Sequence, residues 1–87
     1  MYTVMTTADL KKYFKDHLVP RSLYNLKGGY HKGRICMEKV KEGWEVYFSE
    51  KRDKVGIIHC LTESEACRVM VEEVNKVMQA IYGLKFV

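Results

Sequence analysis

The stretch from Gly43 to Val74, GWEVYFSEKRDKVGIIHCLTESEACRVMVEEV, restricts the fold of this chain more than any other. Apolar and polar residues alternate from Trp44 to Ser49, the period of a strand with one face buried. Trp44, Val46 and Phe48 fall on one side, and Glu45, Tyr47 and Ser49 on the other. A polar run from Glu50 to Lys54 predicts a turn, and Val55 to Leu61 a further strand. The period then changes. Ala66, Val69, Met70, Val74, Val77, Met78 and Ile81 recur at helical spacing. Thr62, with Glu65 three residues on, makes a reciprocal capping box, acidic residues stand at the positive end of the dipole, and Gly83 marks the stop.

Upstream, Thr6 and Thr7 offer a hydroxyl cap, and Leu10, Tyr13, Phe14, His17 and Leu18 form one helical stripe opposite Lys11, Lys12, Lys15 and Asp16. Pro20 expels the preceding residue from the helical region, so the spacing predicts a helix over Thr7 to Leu18. Arg21 to Gly33 is irregular, with Leu23, Tyr24 and Leu26 as an apolar anchor and Lys27-Gly28-Gly29 as a turn. A strand is expected over Arg34 to Val40, joined to the Trp44 strand through Lys41-Glu42-Gly43, where Gly43 is free to take positive φ. The expected fold is a single α+β domain over residues 1–87, a three-stranded antiparallel meander packed by an N-terminal and a C-terminal helix (α-β-β-β-α).

Composition narrows the function. A chain of 87 residues with 47% hydrophobic and 30% charged side chains is ordinary for a folded domain. No apolar run reaches the roughly 20 residues that span a bilayer, and MYTVMTTADLKKYF lacks the pattern of a secretory signal. Three cysteines, without a close pair, argue against a disulfide framework, so a reducing cytoplasm is the expected location. The net charge of +4 is carried by the first forty-one residues; acidic residues interrupt the basic ones thereafter. A phosphate-tracking surface needs a denser cluster with aromatics beside it, and mild basicity alone reads as a solubility feature.

The polar residues assemble no reaction centre. His17, His31, His59, Cys36, Cys60 and Cys67 lack the paired spacing of zinc ligands, and His59 and Cys60, adjacent in a strand, point to opposite faces. Cys36 and Cys67 read as small core residues. A Cys–His nucleophile would need an orienting group and an oxyanion site; Lys27-Gly28-Gly29-Tyr30 is too short for a phosphate loop; Glu72 and Glu73 lie on the polar side of a helix. No catalytic residue, metal, cofactor or small-molecule substrate is expected. Trp44 reads as core. Tyr47 has two readings: an exposed contact on an open sheet face, or a cross-strand partner for an apolar neighbour such as Ile58. Glu50, Lys51, Arg52, Asp53 and Lys54 form a turn of mixed charge, solvated or matched to one partner.

Two known classes share this pattern. Double-stranded RNA-binding domains have the same helix–three strands–helix order, but they grip phosphates through lysines at the start of the second helix, where this chain has Thr62-Glu63-Ser64-Glu65. The residues WEVYFSEKRDK, with LTESEAC downstream, resemble the strand, turn and helix start of small immunity proteins of bacterial polymorphic toxin systems, including contact-dependent growth inhibition systems. VPRSLYNLKGGY and ICMEKVKEGW are similar to the segment preceding it there, so the resemblance covers Val19 to Val74. It implies a cytoplasmic protein that binds one cognate toxin domain, often a nuclease, and blocks its active site. Such inhibitors are often acidic, so in a net basic chain the expected contact is either a locally acidic partner surface or a local acidic patch. Glu45, Tyr47, Glu50, Arg52 and Asp53 are the expected partner-binding residues. The alternative is a small basic nucleic-acid-binding or regulatory module.

Overall fold

The computed structural model describes residues 6–29, 32–50 and 53–83. In chain order these form helix α1 (Thr7–Asp16), a single 3-10 turn (Arg21–Leu23), strands β1 (Tyr24–Asn25), β2 (Arg34–Val40), β3 (Gly43–Glu50) and β4 (Asp53–Cys60), and helix α2 (Glu63–Tyr82). The four strands lie side by side in the order β1-β2-β3-β4. β2, β3 and β4 make the expected antiparallel meander. The three-stranded antiparallel expectation is corrected by β1, which adds a short fourth strand parallel to β2, with Tyr24 opposite Ile35 and Asn25 opposite Cys36. Two residues carry no readable alternation. The buried Asn25 side chain defines the strand's end by donating to the Gly28 carbonyl (2.8 Å) and accepting from Lys27 N–H (3.4 Å).

Both helices start on threonine caps. Thr6 Oγ1 accepts from Asp9 N–H and Thr62 Oγ1 from Glu65 N–H. The Glu63 carboxylate accepts from Thr7 N–H at 2.9 Å, so an acidic residue of α2 also serves the positive end of α1. α1 is shorter than its expected extent, ending at Asp16 with His17 as cap. Leu18 N–H donates to the Lys15 carbonyl and Val19 N–H to the Phe14 carbonyl, while Leu18 takes φ +57. This is a Schellman ending with leucine in the left-handed position. Leu18 is consequently 86% exposed, and Val19 takes the buried place expected of it.

α2 lies across β2 and β3, with less of β4 beneath it, and α1 packs on α2. Leu10, Phe14, Ile35, Met37, Val46, Cys60, Cys67, Met70, Val71 and Val74 form the core between helices and sheet. Leu23, Tyr24 and Leu26 pack against it as expected, and the Tyr24 ring lies 4.6 Å from that of Phe14. Ile81, expected in the α2 stripe, is exposed beyond the sheet.

β4 carries an irregularity that decides which side chains are covered. Val46 pairs with Ile58 and Phe48 with Val55, so Gly56 and Ile57 stand opposite Tyr47 alone. The extra residue is accommodated by Gly56 at φ +62, a bulge that reverses the side-chain phase. Val55 and Ile58, three residues apart, thereby share the helix-side face with Cys60.

Candidate functional site

Tyr47 is where the structure departs most from the sequence reading. It lies on the face away from the helices, as its alternation requires, but it is 1% exposed and not open to a partner. The reason is the backbone after β1. Residues 26–29 run over this second face, and the Tyr47 hydroxyl donates to the Gly29 carbonyl at 2.6 Å. Gly29 N–H in turn donates to Glu38 Oε1 (2.8 Å), and Lys54 Nζ sits 4.7 Å from the centre of the Tyr47 ring. Ile58 is not its cross-strand partner either, because the bulge turns Ile58 to the other face.

Lys54 bridges two carboxylates, Glu38 at 3.3 Å and Glu45 at 2.9 Å. Glu45 is therefore half-buried and already paired within the fold. The remaining expected contact residues stand apart from it. Glu50 and Asp53 are exposed and directly opposite each other where β3 passes into β4. Arg52, together with Lys51 and His31, lies outside the described residues. The structure thus keeps Glu50 and Asp53 on the surface and assigns Glu45 and Tyr47 to holding the fold.

This cluster is electrostatically tuned. The Glu38 carboxyl is held below its usual range, chiefly by the Gly29 N–H it accepts, and further by Lys54; partial burial opposes them. The Lys54 ammonium is raised, chiefly by its bond to Glu45. Burial pushes the Tyr47 phenol well above its ordinary value, so it remains a proton donor. Because the folded value of Glu38 lies below the unfolded one, its stabilisation is complete above the unfolded value and disappears as pH falls through the folded one. In thermal melts taken from about pH 6 down to about pH 3, wild type is expected to lose more Tm than Glu38→Gln. Parallel curves would refute this role.

Sequence reasoning found the outer strand, expected over Val55 to Leu61, but missed that its apolar edge is exposed. β4 is the last strand of the sheet, so among the described residues one side of it has no neighbouring strand. Val55, Ile57 and Ile58 are exposed along it, Ile57 by 50%, with Phe48 beside them and Leu61 just beyond. Phe48, expected on the covered face with Trp44 and Val46, is 40% exposed. Ile35, Val46, Phe48, Val55 and Ile58 line a groove of about 150 Å³ bounded by Glu73 of α2. A signal was present: Val55-Gly56-Ile57-Ile58 is apolar in both phases around a glycine, as an edge strand with a bulge would be.

The cysteines are buried, as read for Cys36 and Cys67. Burial raises the Cys60 thiol and pushes Cys67 up to about 12, the reverse of what a nucleophile needs. Among the described residues, no three His, Cys, Asp or Glu side chains are grouped as metal ligands would be. None of the described helices is long and apolar enough to cross a membrane. Comparison with protein-family models, curated proteins and solved structures finds no match.

Proposed function

We propose that this chain is a non-catalytic, cytoplasmic immunity protein that binds a bacterial toxin domain, a nuclease, and covers its active site through β4 and the paired residues Glu50 and Asp53 at its start. The observation that carries this reading is the uncovered edge of β4. An exposed apolar edge is an aggregation hazard unless a partner covers it. Glu50 and Asp53 at one end of the strip select a partner surface bearing basic groups, as the substrate cleft of a nuclease does. The residues that resemble immunity proteins build this region: WEVYFSE is β3, and LTESEAC is the cap and first turn of α2. Backbone pairing to β4 and burial of Val55 and Ile57 supply affinity in this arrangement.

The test is titration against the co-encoded toxin domain. Ile57→Lys places an ammonium in the middle of the strip and is expected to weaken binding about 100-fold, whereas Lys12→Ala, exposed on α1, leaves it unchanged. Glu50→Ala with Asp53→Ala is expected to slow association several-fold and flatten its salt dependence. Wild-type affinity in Ile57→Lys, with circular dichroism showing an intact fold, would remove β4 from the interface.

A further inference from the structure

The basic excess that is scattered along the first part of the sequence is gathered by the fold into one cleft. Lys11 and Lys15 lie one turn apart on α1, Arg21 on the 3-10 turn, Lys27 just after β1, and Arg34 at the start of β2. They surround two adjoining hollows of about 300 and 260 Å³, which share Lys11, Arg21 and Tyr24. No carboxylate lines either hollow among the described residues. The ion pairs among the described residues all involve Lys54 or Lys76, so none of these five cations is neutralised within that set. Charges that serve solubility are interspersed with the opposite sign. Here five of one sign share a wall, and an anion in the cleft relieves their mutual repulsion.

We infer that this cleft binds a phosphorylated nucleotide, its phosphates held by Arg21, Lys27 and Arg34 and its base laid on the apolar floor of Tyr24 and Leu26. The two arginines offer planar forks that match pairs of phosphate oxygens. Tyr24 is half-buried, supported by Phe14 beneath it, and presents aromatic surface between the cations, the combination used to hold bases beside a phosphate backbone. The ligand is a free nucleotide or one unit of a single strand. The cleft borders β1, at the opposite edge of the sheet from β4, so the inference stands independently of the toxin-binding reading.

Fluorescence anisotropy with a labelled single-stranded RNA octamer tests it, with adenosine triphosphate, inorganic triphosphate and polyglutamate as competitors. The full chain is expected to bind the octamer. With about four phosphates neutralised, a fourfold rise in salt should cost roughly fiftyfold in affinity. Arg21→Ala with Lys27→Ala, both exposed positions, should cost at least about tenfold more than Lys76→Ala, with melting unchanged. Displacement by adenosine triphosphate at equal nucleotide concentration assigns a free nucleotide; failure of that displacement, with the octamer still bound, assigns a strand. Absence of binding to both nucleotide probes would overturn the inference. So would equal displacement by inorganic triphosphate or polyglutamate, or unchanged binding by the double variant.

Discussion

Replacing Tyr47 by alanine is expected to lower unfolding free energy by about 3–5 kcal/mol, and replacing it by phenylalanine by about 1–2 kcal/mol. The alanine figure follows from removing a fully buried ring between the sheet and residues 26–29, a gap the backbone on either side cannot close. The phenylalanine figure isolates the hydroxyl, which donates to the Gly29 carbonyl and lies 3.3 Å from Glu38 Oε1. It is the smaller because Gly29 is exposed and its carbonyl regains water. Urea titration of both variants checks the pair. The ring is structural only if Tyr47→Phe retains the affinity of wild type for its partner while losing stability. A phenylalanine variant as stable as wild type would dissolve the account of how residues 26–29 are fastened.

Gly43→Ala is expected to cost about 3 kcal/mol or more, the second large effect. Lys41 and Glu42 keep negative φ, so the tight reversal between β2 and β3 is completed by Gly43 at φ +134. An added Cβ would press into the backbone carbonyl oxygen of Cys60 on β4, an atom that cannot rotate away. Gly56→Ala separates the two causes: it has positive φ but nothing within 4 Å of the new carbon, so strain alone remains, about 1 kcal/mol. Chemical denaturation of the two variants should therefore rank Gly43→Ala clearly below Gly56→Ala. Equal losses would show that backbone strain, not the clash, sets the cost.

Where local chemistry decides structure, the sequence was legible. The Thr62 cap, the apolar stripe of α2, the alternation of β3 and the turn at Gly43 each declare themselves within a few residues, and each stands in the structure, the stripe as far as Met78. What escaped depends on contacts between distant segments. Tyr47 was placed on the correct face, yet its burial rests on a segment eighteen residues upstream that has no period of its own. Glu45 looked like a free surface charge because its partner Lys54 belongs to the next strand. The five cations of the basic cleft are ordinary one by one, and only the return of β1 beside β2 brings them together. Leu18 joined the helical stripe by spacing and left it because the chain must turn before Pro20.

The bulge at Gly56 divides the free margin of the sheet into two short runs of backbone groups that are out of step with each other. A flat, regular strand laid along it would match one run and miss the other. Indiscriminate stacking of copies into a continuous ribbon is thereby discouraged, even though the margin is rich in valine and isoleucine. A chain shaped with its own matching kink would engage the whole length, so discrimination between partners begins in the main chain before any side chain is compared.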